Sequence, residues 1–454
     1  MRSTDWRARR SRLRLYGALF AALVVFNAAA AAQDWIRTGT GLGVERVRLA
    51  AADFKLATPA NGQSVELLKT FNDTLWNDLE SAGIFDMVSK SFYPLAIPGA
   101  PQEMKLDAWG NPPPNAGMVA FGNIGVADTN LAMQGWLFDA KNANSPQVLG
   151  KQYRDTATTE GARRVAHKFA NEIIFQLGGG IPGIAESKIY FISGRSGSKE
   201  VWAMDYDGYG QHQVTKLGSI ALSPRVSPDG TRVAFTSFIN GKPDVVMYSL
   251  ELGRLVSFPR FSGTTSSPAW SADGTRIAFS SSLPGDPEIY VADASGAGAR
   301  RITAVHGPDV SPVWNPKTGA QIAFVSGRSG LPQIYIMDAD GTNPQRITDQ
   351  GYAVSPSWSP NGQFLTFAWN RHYGPGAPGG LDIYIMDIAS RQWVQLTHDS
   401  GVNDYPSWAP DGRHIVFQST RSGSPQIWTM LADGTQQKPL TSGGANMMPN
   451  WSAR

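Results

Sequence analysis

The sequence predicts a multi-domain protein in which an α/β N-terminal domain is followed by an all-β six-bladed propeller. A Pro-x-Trp-like step that recurs at a nearly constant interval predicts the propeller. Its prolines lie 44, 44, 44, 50 and 43 residues apart, at Pro224, Pro268, Pro312, Pro356, Pro406 and Pro449. This interval is about the length of one four-stranded propeller blade. The first third of the chain lacks the interval and instead carries patterns of mixed helices and strands.

Each repeat contains four short strand patterns. In the best-defined repeat they are residues 355–358, 364–367, 382–386 and 393–396, all rich in aromatic or branched side chains. Asp-Gly or Asn-Gly steps follow the first strand in most repeats and supply the positive φ of tight hairpins. Each repeat therefore predicts one antiparallel sheet.

The two ends of the repeat region are out of phase with each other. Residues 189–191 form a strand of the second type with no Pro-x-Trp step before it, and Trp451 has no strand after it. Pairing of the last strand with the first three would complete a sixth blade and leave no open edge. We therefore predict a closed propeller over residues 187–454.

The α/β domain is predicted over residues 44–178. Two amphipathic helices are expected at 64–81 and 160–177, where the apolar side chains follow helical spacing. Strands are expected at 44–49, 84–88, 118–121, 131–138 and 148–154. The glycine-rich residues 179–186 predict a linker between the two domains.

Residues 1–32 have the pattern of an export signal. Six arginines precede an apolar run that fades into alanines, which predicts cleavage near Ala32 and a periplasmic protein. A membrane anchor is the alternative, but the strongly apolar part is short for a bilayer span, so we expect no direct membrane insertion. The general and the twin-arginine export routes both stay open. Residues 33–43 are rich in glycine and predict a flexible arm at the mature N-terminus.

Charge and cysteine content exclude several classes of function. The chain has a formal net charge of +3, but residues 1–32 contribute +5, so the rest carries about −2. Such a chain has no excess of cations for a nucleic acid or an anionic membrane surface. The absence of cysteine excludes disulfides, zinc–thiolate sites and thiol catalysis.

Three motifs imitate ligand sites, and none predicts a cofactor. The glycines of 39–43 precede the first strand, whereas a phosphate-binding loop follows a strand and opens a helix. The Asp-x-Asp-Gly steps at 205–208 and 338–341 lack the closing Glu of a calcium loop, so they indicate hairpin turns. An ion in the central channel stays open.

Catalysis is not predicted, although one enzyme class stays open. The sequence has no Gly-x-Ser-x-Gly elbow, and its six histidines show no metal-ligand or triad spacing. The alternative is a secreted propeller hydrolase or lyase with carboxylates in the central channel, because sites assembled across blades leave little linear trace.

Two kinds of repeated side chain have both a structural and a functional interpretation. Arg195, Arg328 and Arg421 recur in register, which favours a role in holding their own hairpins against a neighbouring blade over a cationic rim for an acidic partner. The repeated tryptophans favour blade packing over a sugar-stacking site.

The layout as a whole resembles the TolB family of the Tol-Pal cell-envelope system. The similarity rests on the signal segment, the α/β domain, the Gly-Ile-Pro-Gly-Ile-Ala bridge at 180–185, the repeats, and the Ser-Phe-Pro-Arg step at 257–260. The resemblance implies a non-enzymatic periplasmic adaptor that binds the lipoprotein Pal through one propeller face and TolA through the mature N-terminus. It also implies support of outer-membrane integrity and of envelope constriction during cell division, by a protein that is monomeric on its own.

The resemblance also implies particular contact residues. Those for Pal lie on two successive loops of the propeller face: Arg260, Phe261 and Thr264 on the first, and Asp309, Val310 and Ser311 on the second. Trp35 and Ile36 are the apolar anchors of the N-terminal arm that would engage TolA.

Overall fold

A computed structural model describes residues 45–372, 380–398 and 400–452. The predicted signal segment and the N-terminal arm, including Trp35 and Ile36, lie outside the described residues. Within the described ranges, none of the helices combines the length and the apolar character that crossing a bilayer requires.

The N-terminal domain is a mixed sheet with two long helices packed together on its core. The elements in chain order are β1 (Val47–Ala51), β2 (Lys55–Leu56), α1 (Gly62–Ser81), β3 (Phe85–Met87), α2 (Leu106–Gly110), β4 (Met118–Ala127), β5 (Asn130–Asp139), β6 (Gln147–Thr156) and α3 (Thr159–Leu177), with 3₁₀ turns at Lys90–Phe92 and Pro101–Glu103. The sheet order is β3-β1-β4-β5-β6. Strand β1 is parallel to β3 and β4, β2 also pairs with β4 in parallel, and β5 is antiparallel to β4 and β6.

The two long helices lie where the sequence predicts them, and each has a polar cap. Asn61 Oδ1 accepts a hydrogen bond from Ser64 N at 2.8 Å before α1, and Thr158 Oγ1 accepts one from Gly161 N at 3.0 Å before α3. These caps satisfy backbone N–H groups that have no partner inside the helix. The apolar side chains of α1 and α3 form one buried core with the sheet.

The propeller consists of six four-stranded antiparallel sheets within the described residues. Five blades are continuous in the chain. They are blade 1, β10 (Ala221–Val226), β11 (Arg232–Ser237), β12 (Asp244–Ser249) and β13 (Arg254–Val256); blade 2, β14 (Thr265–Trp270), β15 (Arg276–Ser281), β16 (Glu288–Asp293) and β17 (Arg300–Arg301); blade 3, β18 (Asp309–Trp314), β19 (Gln321–Ser326), β20 (Gln333–Asp338) and β21 (Gln345–Arg346); blade 4, β22 (Tyr352–Trp358), β23 (Phe364–Asn370), β24 (Asp382–Asp387) and β25 (Trp393–Gln395); and blade 5, β26 (Asn403–Trp408), β27 (His414–Ser419), β28 (Gln426–Leu431) and β29 (Lys438–Pro439).

The sixth blade joins the two ends of the propeller region. It combines β30 (Asn446–Ser452) with β7 (Lys188–Ser193), β8 (Glu200–Asp205) and β9 (His212–Gln213). Trp451 pairs with Ile189 in this sheet, and its Nε1 donates to Ser187 Oγ at 2.8 Å. The predicted closure is therefore confirmed, and β7 has a partner strand instead of an open edge.

The α/β domain packs on one face of the ring. We call this the domain face; it carries the turns between the first and second and between the third and fourth strands of each blade. Tyr206 Oη donates to Asp78 Oδ1 at 2.5 Å, and His414 Nε2 lies 2.7 Å from Ser81 O. Arg163 Nη2 donates to Asp207 Oδ2 at 2.7 Å. These contacts involve turns of blades 5 and 6.

The opposite face carries the segments that lead into the first strand of each blade and the turns between the second and third strands. We call it the open face. Because consecutive strands of a blade are antiparallel, all segments of these two types lie on the same side of the ring. The loops that the resemblance assigns to partner binding belong to this face.

Removal of residues 446–454 tests the closure. The truncation deletes β30, removes Trp451 from the core and leaves β7 with a bare edge. We expect the free energy of unfolding in urea to fall by about 3 kcal/mol or more, the usual effect of losing a buried tryptophan. A truncation after Ser452 keeps β30 and is the control. If both proteins unfold at the same urea concentration, the closing strand does not stabilise the ring.

Candidate functional site

The open face carries a ring of exposed apolar side chains. Five large apolar residues on it are between 37% and 53% exposed: Ile220, Ile239, Leu283, Leu331 and Val402. On the domain face, Tyr209 and Leu252 are the large apolar residues with comparable exposure among those described. Single exposed apolar residues are normal on a surface, but their concentration on the open face makes it the candidate interaction surface.

Arg260, Phe261 and Thr264 lie on the open face in the loop between β13 and β14. Arg260 is exposed, and its Nη2 donates to Asn240 Oδ1 at 2.8 Å. Phe261 is partly exposed and packs on Phe279, with 4.9 Å between the ring centroids. Thr264 N donates to Ser282 Oγ at 3.0 Å. The loop is thus held against blades 1 and 2 and presents a cation beside an aromatic ring.

The second predicted loop is placed differently. Asp309 opens β18 and is fully buried, and its Oδ2 accepts from Arg328 Nη2 at 2.7 Å. Val310 and Ser311 follow it on the innermost strand and are partly buried. Asp309 can therefore affect a bound partner only indirectly, by holding the side chain of Arg328 in position. The two groups of predicted residues lie in different environments, one on the rim and one in the wall of the ring.

The apolar turn residues are the part of this surface that the sequence analysis missed. Ile239, Leu283 and Leu331 all lie in the turn between the second and third strands, in blades 1, 2 and 3. Ile239 and Leu283 both stand two residues after the end of the second strand, whereas Leu331 stands two residues before the third strand. An apolar residue in each of three successive glycine-containing turns is a signal that the sequence does carry. Ile239 and Leu283 are sequence neighbours of Asn240 and Ser282, which bind Arg260 and Thr264.

Arg195, Arg328 and Arg421 hold their own blades together. Each Nε donates to the serine that ends the second strand, at 2.8 to 3.0 Å. Each guanidinium also lies over an aromatic ring of the third strand, Trp202, Tyr335 or Trp428, at 4.4 to 4.8 Å from the ring centroid. The structural interpretation is supported, but these partners lie within the same blade and not in its neighbour.

The innermost strands share a bulge that shapes the central channel. In each one, two residues of the first strand oppose one residue of the second. The residue before the proline is left-handed in all six, with φ between 51° and 54°, at Ser223, Ser267, Ser311, Ser355, Tyr405 and Met448. A non-glycine residue in this region is strained by about 1 kcal/mol or more. The packing of the ring must therefore stabilise this conformation in each of the six blades.

The innermost strands carry two side chains of opposite charge, one before the bulge and one after it. Asp404 lies before the bulge of β26, where burial raises its pKa to about 6 although hydrogen bonds from Ser355 and from the Tyr405 N–H oppose the shift. Arg225 lies after the bulge of β10, and burial lowers its pKa to about 10. No ion pair joins the two side chains in the described part of the chain.

The channel does not present a pair of catalytic carboxylates. The six innermost strands contain two acidic residues, Asp309 and Asp404, and the former is bound to Arg328. Among the described residues, no group of three or more His, Asp or Glu side chains is arranged to hold a metal ion. The two-carboxylate geometry of a sugar-cleaving site has no support in this arrangement.

Comparison with known proteins decides the family. The family model described as the TolB β-propeller domain matches residues 175–374 and 349–454, which together are more than half of the chain. The chain belongs to the TolB β-propeller family. The resemblance read from the sequence is confirmed, and the match lies on the blades described above.

Curated relatives and a solved structure agree with this family. The Protein TolB homolog of Chlorobium chlorochromatii is 38% identical over 197 residues, 43% of each chain. The Tol-Pal system protein TolB of Desulfosudis oleivorans is 37% identical over 139 residues, 31% of each chain. The chain thus spans less than half the length of these relatives. The crystal structure of TolB from Acinetobacter baumannii has a TM-score of 0.75 and 24% identity over 90% of this chain and 97% of the other, which shows a common fold.

Replacement of Asp404 by Asn tests the electrostatics of the channel. The native pKa of Asp404 is raised, so the folded state holds this proton more tightly than the unfolded state, and stability falls as the pH rises from about 4 to about 6. Above that range the ionised form destabilises the wild type. We expect Asp404→Asn to be more stable than the wild type by about 2 kcal/mol at pH 7.5, and by much less at pH 4.

Urea unfolding at both pH values measures this difference. Asp349→Asn, at an exposed position, is the control for removal of one negative charge. An equal effect of Asp404→Asn at the two pH values would contradict the raised pKa.

Proposed function

We propose that the protein is a non-enzymatic periplasmic adaptor of the Tol-Pal system that binds Pal through the open face of its propeller. The observation that carries the proposal is the ring of exposed apolar side chains on the face opposite the α/β domain. Membership of the TolB family and a relative named Tol-Pal system protein TolB support the assignment to this system.

The composition of the open face suits a protein partner. Its apolar turn residues offer area that gains free energy when water is removed, and the aromatic Phe261 and the cationic Arg260 are of the types enriched at interfaces. The bonds of Arg260 to Asn240 and of Thr264 to Ser282 fix the loop before any partner binds. A fixed loop loses less conformational entropy on binding. Asp309, Val310 and Ser311 would contribute by fixing Arg328 and the wall beneath the rim.

The second partner in this proposal is TolA, bound by the N-terminal arm of the mature chain through Trp35 and Ile36. The export pattern of residues 1–32 supports a periplasmic location after cleavage near Ala32. An adaptor with separate sites for Pal and TolA links two envelope proteins, which supports outer-membrane integrity and constriction at division. The chain acts as a monomer between them.

A binding assay with the mature protein and the periplasmic domain of Pal tests the proposal. We expect Leu283→Asp and Arg260→Glu each to weaken the affinity at least tenfold, because a charge placed in a desolvated contact is left without compensation. Leu252→Asp, on the domain face with 58% exposure, is the matched control and should bind like the wild type. Isothermal titration calorimetry gives the affinities.

The assay tests the location of the Pal site separately from Pal binding itself. Unchanged affinity of both open-face variants for Pal would contradict the assigned site. Absence of Pal binding by the wild type would contradict the proposed function. Trp35→Ala should reduce capture of TolA and leave the affinity for Pal unchanged. Loss of Pal binding in that variant would contradict the separation of the two sites.

A further inference from the structure

We propose that the domain-face end of the central channel is a binding site for a carboxylate group, held by the guanidinium of Arg225. This site goes beyond the proposed function, because it lies at the opposite end of the channel from the surface assigned to Pal. It takes either a small free carboxylate or an acidic side chain of a peptide, since both present the same planar anion.

The site is a cavity of about 300 Å³ at the ring axis. Its wall is formed by the residues that follow the bulge in each innermost strand and by the tryptophans next to them. A volume of this size is at the lower end of ligand pockets and suits a small group better than a folded segment. The residues after the bulge are Arg225, Ala269, Val313, Ser357, Ser407 and Asn450.

Arg225 brings an unused hydrogen-bonding edge to this cavity. Its Nη1 donates to Pro224 O at 2.9 Å. Its Nε and Nη2 make no hydrogen bond or ion pair with any residue in the described ranges. Nε and Nη2 are the two donors with which arginine binds a carboxylate side-on through parallel hydrogen bonds.

One neighbouring side chain adds a further donor. Asn450 uses its Oδ1 to accept from Val226 N at 3.0 Å, so its NH₂ group is the end left for the cavity. The free edge of Arg225 and this NH₂ group are both donors, which is the polarity that an anion requires.

The charge balance points the same way. A guanidinium in this position loses hydration and gains no carboxylate in return, which is unfavourable for the folded protein. Burial lowers the pKa of Arg225 to about 10, so the group still carries its charge at neutral pH. A carboxylate in the cavity would restore the missing partner, and its two oxygens match the two free donors.

Titration of the mature protein with acetate at constant ionic strength, with chloride as the balancing anion, tests the site. Trp270, Trp314 and Trp358 line the cavity, so binding is followed by tryptophan fluorescence and by the thermal midpoint. A capped tripeptide with a central Asp forms a second arm. A saturable signal with acetate alone indicates a free small carboxylate, and tighter binding of the peptide indicates an acidic side chain.

Three variants and one control define the role of Arg225. We expect Arg225→Met to weaken carboxylate binding about tenfold or more, because it removes a charge-assisted pair, and Arg225→Lys to weaken it less. Asn450→Asp places a carboxylate beside Arg225, so it should raise the thermal midpoint and abolish the response to acetate. Arg254→Met, on an exposed edge strand, should respond like the wild type.

Two results would overturn the proposal. The first is an equal response of the wild type to acetate and chloride, because the site would then not recognise a carboxylate. The second is a response that persists in both Arg225→Met and Asn450→Asp. Asn450→Asp keeps the volume of the side chain, so it remains informative if Arg225→Met fails to fold.

Discussion

The whole propeller depends on the contacts that join each blade to the next around a closed ring. Between blades 1 and 4 the same bond recurs, in which a tryptophan Nε1 donates to a backbone carbonyl of the preceding blade. The distances are 3.0, 3.2 and 3.3 Å from Trp270, Trp314 and Trp358. Blade 6 closes the ring by strand pairing, and Trp451 there bonds to Ser187 instead. An open array would leave a strand edge exposed and its end blade covered on one side.

Closure of the ring also explains why the two faces differ. Hydrogen bonds within and between blades use the residues of the strands, so the turn tips are the positions left free to vary. On the domain face, many tips are occupied by Asp-Gly turns and by contacts with the α/β domain, such as Tyr206 with Asp78. On the open face, Ile239, Leu283 and Leu331 occupy the tips. A rigid ring thus presents a varied surface without disturbing its core.

The sequence predicts the features that depend on local patterns. The period of the Pro-x-Trp steps gives the number of blades, and the missing partner of residues 189–191 gives the closure, because each is a matter of spacing along the chain. Helix spacing locates α1 and α3 within two residues.

The features that sequence analysis missed depend on which residues, distant in the chain, are brought into contact when the ring closes. Val226 and Asn450 are 224 positions apart and share a hydrogen bond, and nothing in either segment indicates the other. Asp309 has the sequence context of an exposed loop acid, yet it opens an innermost strand and is covered by Arg328.

The charged residue on one innermost strand was also missed. The six innermost strands have similar sequences, and a single different residue in one of them changes neither the repeat period nor the fold. Arg225 stands where the other blades have Ala269, Val313, Ser357, Ser407 and Asn450, all of them uncharged. An uncharged residue at this position would satisfy the packing of the ring equally well, so packing does not account for the arginine. Its charge is unfavourable for folding alone, and a bound anion provides the compensation that the described side chains do not.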